Sequence, residues 1–220
     1  MKISSRLWAA TFFFLTACSA HQKKVLIYAN SKIQVDESQK TITVQDGTTQ
    51  VETEINFNSS DPVVLAVNSP KGKYNIEIPE DGYWLANLGT DTVVGSMQHT
   101  GNTKQTRITQ EQLQIQLDSL NKLVKGANIS EAAKNYFIVP GKVAKITTQT
   151  GAKIFGPFTP VPSAFDAGSV PEVYKFYDIS EVYDILHKLT EMSKYKYEKE
   201  SGKNQEDDDD SVYTIHPTKK

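Results

Sequence analysis

The side chains able to do chemistry are few and scattered. Cys18 is the only cysteine, so disulfides, paired-thiol redox centres and cysteine-rich zinc sites are excluded. The four histidines, His21, His99, His187 and His216, fall in two polar terminal stretches, a linker and a predicted helix. They form no metal-ligand cluster, and no metal or cofactor is expected. There is no Gly-x-Ser-x-Gly elbow and no phosphate-cradling glycine loop. The carboxylates Asp166, Glu172, Asp178, Glu181 and Asp184 gather about one long loop, where a pair could serve a hydrolase as general acid and base. Asp178 and Glu181 also have the spacing of a helix capping box.

Two aromatic groups could bind instead of catalyse. Tyr74, Tyr83 and Trp84 could form a platform for a glycan, although a core tryptophan is the plainer reading. Phe158, Val161 and Phe165 lie in the stretch 156–171, which carries four prolines. A loop of that length in a compact domain is usually functional or disordered, and its aromatic content argues against disorder. Exposed, these three side chains would form a contact patch; tucked in, they would close a core.

The elements that must position these residues are β-rich at first and mixed later. From Val25 to about Met97 short strands alternate with turns. Thr41 to Val44, Asp46-Gly47 and Val51 to Phe57 read as a hairpin with Glu52, Glu54 and Asn56 on a wet face. Val63 to Val67 reads as an inner strand with both faces apolar, and Ser69 to Gly72 as the turn into Tyr74, Ile76 and Ile78. Strands at Tyr83-Trp84-Leu85 and from Val93 complete an antiparallel β-sandwich or barrel, 25–100.

A polar linker precedes an α+β unit, 105–196, which is smaller in its strands and has two amphipathic helices. Thr109 and Gln112 form a capping box, with Ile108 and Leu113 as staple. Leu113, Leu117, Leu120 and Val124 line one face, Asp118 can pair with Lys122, and Gly126 ends the helix. Tyr136 to Val139 and Val143 to Ile146, about Pro140-Gly141, suggest a second hairpin, continued through Ile154 and Phe155. Val182, Ile185, Leu186, Leu189 and Met192 stripe the second helix. Residues 197–220, with four consecutive aspartates at 207–210, read as a disordered acidic tail; the run lacks the turn glycine of a calcium loop.

Lys2 and Arg6, the apolar run Leu7 to Leu15 and small residues up to Cys18 have the layout of a signal peptide. Leu15-Thr16-Ala17-Cys18 resembles the lipobox of bacterial lipoproteins. The resemblance covers only the leader and implies that residues 1–17 are removed, that Cys18 is lipidated and that 18–24 are a tether. Ser19 stands where an aspartate often signals inner-membrane retention in such families, which points to the outer membrane, facing the periplasm.

Removing the leader takes away two of the 24 basic residues and none of the 26 acidic ones, so the mature chain carries no basic field for nucleic acid. No later apolar run reaches the roughly 20 residues of a membrane span, so the lipid is the expected membrane attachment. The expectation is a lipid-anchored envelope protein without catalytic activity, binding another envelope component or acting in assembly. The alternatives are a glycan-binding module and a carboxylate-dependent hydrolase.

Overall fold

The computed structural model describes residues 21–98, 109–130, 132–162 and 172–201. Cys18 and its leader, Ile108, Asp166, Phe165, His99, His216 and the four-aspartate run lie outside the described residues. The described chain is β-rich, with twelve strands in three four-stranded sheets and two helices, and no sheet closes on itself.

The middle sheet contains β1 (Lys23–Ala29), β4 (Val51–Phe57), β7 (Gly82–Asn87) and β10 (Lys142–Thr147) in the order β10-β7-β1-β4. β1 runs antiparallel to β4 and parallel to β7. Val25 to Ala29 and Tyr83 to Ala86 are buried without a break, because both faces of this sheet are covered. Continuous apolar strands are what a doubly covered sheet requires.

The second sheet is β2 (Ile33–Asp36), β3 (Thr41–Val44), β5 (Val63–Ser69) and β6 (Gly72–Ile78), in the order β2-β3-β5-β6. Its Ile42, Val63, Leu65, Val67, Ile76 and Ile78 share a core with Val25, Ile27, Ile55, Phe57 and Trp84 of the middle sheet. The third sheet is β8 (Val93–Gln98), β9 (Asn135–Ile138), β11 (Lys153–Phe155) and β12 (Val173–Asp178), ordered β11-β12-β8-β9. It packs Ile138, Ile154, Tyr174 and Phe176 on the opposite face of the middle sheet, against Leu26, Tyr28, Tyr83 and Leu85.

Its outer face carries Val94, Phe137 and Tyr177 and is covered by α1 (Gln110–Val124) and α2 (Ile179–Ser201). The layers are therefore sheet, sheet, sheet and helices. Gly95 makes the third sheet's close packing possible: a Cβ there would run into the Phe176 ring and lie 2.6 Å from the Lys175 carbonyl oxygen.

Several expectations are corrected. The strands on either side of residue 100 interleave, since β10 completes the middle sheet and β8 joins β9, β11 and β12; the two units do not have separate sheets. β3 and β4 form no hairpin, because β3 pairs with β2 and β5 while β4 pairs with β1. β9 and β10 likewise go to different sheets across the Pro140-Gly141 turn. The strands buried on both faces are β1 and β7, not β5, whose Val64 is 42% exposed.

Lys23 and Lys24 belong to β1 rather than to a tether. Lys23 is fully buried, and its ammonium donates to the Ser59 carbonyl at 2.5 Å and to Asp81 at 3.0 Å, which compensates the burial. The Thr109–Gln112 capping box forms, Leu113, Leu117 and Val124 are buried, and Gly126 takes φ 65° just past the helix. Asp118 accepts from Gln114 at 3.0 Å, where pairing with Lys122 was expected. α2 packs on α1 and continues to Ser201, so 197–201 are helical rather than part of a disordered tail. No helix among the described residues is long and apolar enough to cross a membrane.

Candidate functional site

The polar side chains concentrate where the stretch after β11 crosses from the third sheet to the edge of the middle one. Lys175, on β12 and only 5% exposed, donates through Nζ to the carbonyl oxygens of Gly156 at 2.6 Å, Thr159 at 3.0 Å and Pro157 at 3.3 Å. An ammonium has three protons, and all three are used. The same nitrogen lies 4.9 Å from the centre of the Tyr177 ring.

From the other side, Glu52 on β4 accepts from the Phe158 amide at 2.6 Å and from the Thr159 hydroxyl at 2.5 Å. A Cβ on Gly156 would strike the Glu52 carboxylate, so glycine is the residue that lets the backbone approach it. Phe158 seals the junction with its ring 5.1 Å from that of Tyr28. The segment 156–159 is thus gripped by its carbonyls from one sheet and by its donors from another.

Behind Phe158 the fully buried Tyr28 donates its hydroxyl to Asp178 at 2.5 Å. Burial, then the neighbouring Asp178 carboxylate, holds the Tyr28 phenol well above its ordinary range, so it stays protonated and donating. Burial also raises Asp178; the Tyr28 bond opposes this, Asp91 and Glu52 add to it, and Lys175 opposes it. Glu181 is raised by burial against the pull of Lys175. Lys175 is lowered by burial, against the support of Glu181, Glu52 and Asp178.

A second polar node lies at the other end of β12. Glu172 accepts from Lys134, from Thr147 at 2.6 Å and from Tyr174 at 2.8 Å. Burial pushes its acidity one way, but these three donors outweigh it and hold the carboxyl below its usual value.

This geometry separates most of the residues that sequence groups together. Glu172 is a strand's length, about 17–20 Å, from Asp178, so the five-carboxylate cluster is split. Asp178 precedes α2, where a cap is expected, but its Oδ1 is taken by Tyr28. Tyr83 and Trp84 face opposite sides of β7 and are buried in different cores, and Tyr74 packs with the Trp84 side alone. Neighbouring strand residues point to opposite faces, so no three-ring platform exists. Trp84 donates to the Glu80 carbonyl at 3.2 Å, as a core tryptophan does.

Phe158 is tucked inward and Val161 is half-buried; Phe165 lies outside the described residues. Of the residues expected on a wet face, Glu54 and Asn56 are exposed, with Glu54 also accepting from Tyr83, whereas Glu52 is half-buried and holds the loop. His21 bonds Asp81 at 2.7 Å and His187 is exposed on α2. No group of His, Cys, Asp or Glu among the described residues could hold a metal ion.

Two shallow depressions lie among the described residues. One, of about 360 Å³, is lined by Asn30, Ser31, Gly47, Thr48, Gln50 and Thr90. The other, of about 400 Å³, lies over Ser96, Met97 and Ala132 to Asn135, beside Glu172's partner Lys134. The second brings Ser96 and Lys134 to one rim, but the lysine's ammonium is committed to Glu172 and to the Met97 sulfur.

Comparison with family models, curated proteins and solved structures finds no match.

What the gripped segment can do follows from its own chemistry. Lys175 has spent its donors on carbonyls, Tyr28 is buried and protonated, and Glu52 is engaged through both oxygens by an amide and a hydroxyl. Such groups fix a backbone in place; they present no free nucleophile. Sequence missed Tyr28, Glu52 and Lys175 because each lies in an ordinary-looking strand. The only signal was the apparent charge mismatch of a lysine within Val-Tyr-Lys-Phe-Tyr.

Proposed function

We propose that this chain is a lipid-anchored cell-envelope protein without catalytic activity, held at the outer membrane and facing the periplasm. Its 156–171 loop contacts another envelope component. The body that carries the loop is a β-sandwich-like stack, formed where the first two sheets share a core, with a further sheet and helices behind it.

The observation that supports this reading is the double grip on residues 156–159. Burying a lysine and engaging a glutamate to immobilise four loop residues costs desolvation, and a preorganised base lowers the ordering cost of whatever the loop binds. Binding residues are commonly set on loops fixed to a rigid scaffold. Position agrees: β1 begins five residues after Cys18, a reach of about 16–18 Å. Glu52 pairs with Tyr28, about 17 Å further along β1. The grip is thus at the end of the strand away from the lipid.

Two measurements test the parts separately. Intact mass and membrane fractionation should show wild type lacking residues 1–17 and carrying lipid, with Cys18→Ser released from membranes; an unmodified Cys18 sinks the anchor. Co-purification from gently solubilised membranes should lose partners in a Val161→Asp/Phe165→Ala variant. Equal recovery from variant and wild type refutes the loop assignment whether or not the anchor holds.

A further inference from the structure

β6 is a seven-residue strand at the edge of its sheet. β5 pairs along its whole length on one side, from Ser69↔Gly72 to Val63↔Ile78, and no described strand pairs on the other. An open edge of this length is a template for another strand unless something blunts it. β6 contains no proline and its register carries no bulge.

The direction of its backbone groups can be worked out. The Ala66 amide donates to the Lys40 carbonyl, away from β6. Ala66 is opposite Asn75, so the pair is of the non-hydrogen-bonded kind, and Asn75 aims its own N–H and C=O at the open edge. By alternation, Lys73 and Glu77 do the same.

The exposed side chains of β6 are Lys73, Asn75 and Glu77. Their neighbours on β5 are Asn68, Ala66 and Val64, so neither charge has an opposite charge across the strand. Turned about a two-fold axis at Asn75, the same sequence supplies what is missing. Lys73 then stands opposite Glu77 of a second copy, Asn75 opposite Asn75, and Glu77 opposite Lys73. A single edge lysine would repel a second strand, whereas this arrangement is self-complementary.

We infer that β6 is a homodimer edge, pairing antiparallel with β6 of a second copy about Asn75 to join the two second sheets into one of eight strands. Three hydrogen-bonded residue pairs would form, about six backbone bonds in all. On the inner face Tyr74 would sit beside Ile76 of the second copy. One strand pair is a small interface, so the dimer dissociates on dilution.

The test uses the full chain. In native membranes, Asn75→Cys with a short thiol-to-thiol cross-linker should give a dimer on non-reducing gels. Lys73→Cys should not, because its thiols would be four residues out of register, about 13 Å apart along the strands. Wild type controls for Cys18.

With purified protein, sedimentation should show a monomer–dimer equilibrium. Lys73→Glu and Glu77→Lys should each weaken it about tenfold or more by setting like charges opposite one another, and the Lys73→Glu/Glu77→Lys double swap should restore it. These side chains are exposed, so folding is not at issue. A monomer throughout with no cross-link overturns the inference. So do single swaps that leave dimerisation unchanged, a double swap that fails to rescue, or Lys73→Cys cross-linking as well as Asn75→Cys.

Discussion

Replacing Lys175 by methionine keeps an unbranched apolar stem beside Tyr177 and removes the charged end, so it isolates the grip on residues 156–159. Three carbonyls lose a donor. Thr159 is exposed and Pro157 half-buried, so water can serve those two, but Gly156 is buried. Each hydrogen bond to a charged group contributes about 1.5–3 kcal/mol net, and leaving a buried acceptor unpaired costs about 1–3 kcal/mol. The three bonds share one ammonium whose burial opposes them, so they do not add. The expected loss is about 2–4 kcal/mol, which for a chain of this size lowers Tm by roughly 5–15 °C.

Thermal melts followed by far-UV circular dichroism measure that loss, and limited proteolysis should cut the variant faster within 156–162. pH gives an independent check. Burial sets the Lys175 pKa below its ordinary 10.5, so between the two values the unfolded chain binds the extra proton and stability rises with pH. Buried tyrosines such as Tyr28 act the other way above pH 10, where the unfolded phenol ionises first. The difference between wild type and variant removes that contribution. It should widen in favour of wild type as pH approaches 10.5. A variant melting within about 2 °C of wild type, with unchanged proteolysis, refutes the account of the loop as held by Lys175.

Asp178 has a folded pKa above its ordinary 3.8, so its contribution is full below that value and is lost as pH rises through the folded one. Asp178→Asn should remove that part of the decline in urea stability above about pH 4. Glu172 is shifted the opposite way from 4.5; its contribution is present above that pH and lost on acidification. Glu172→Gln should therefore destabilise at pH 7 by about 1–3 kcal/mol and much less at pH 3, read from the same titrations. Gly95→Ala should cost about 2–3 kcal/mol by overpacking against Phe176 and the Lys175 backbone; an unchanged urea midpoint would mean that β8 and β12 separate without cost.

What sequence made legible was local. Thr109 and Gln112 announced their helix because a capping box is written within four residues, and the Ser69–Gly72 turn joined the two strands it separates. Alternation along Val51 to Phe57 correctly sorted Ile55 and Phe57 to one face. It could not say that Glu52, at one end of the opposite face, would be half-buried against the 156–159 segment, whereas Glu54 and Asn56 are exposed as the alternation implies. The choice of strand partner is not local: Asp46-Gly47 turns the chain, but Thr48 to Gln50 then carry β4 to β1 instead of back to β3. Lys23 and Lys175 were illegible for the same reason, since their partners lie at Ser59 and Asp81, and at Gly156 to Thr159. The site was hidden because its parts come from three strands and a loop that meet only after the layers stack.

The position of β1 has a consequence in time. Among the described strands it is the first to be synthesised, and the middle sheet is built around it, yet its parallel partner β7 ends only at Asn87 and β10 at Thr147. At about 5–20 residues per second, roughly 3–12 s pass between synthesis of β1 and of β7. During that interval Val25-Leu26-Ile27-Tyr28 has no complete site in which to bury itself. Such an uncharged apolar segment is a hazard for pairing with other nascent chains, so the strand most central to the finished molecule is the one that most needs shielding while the molecule is made.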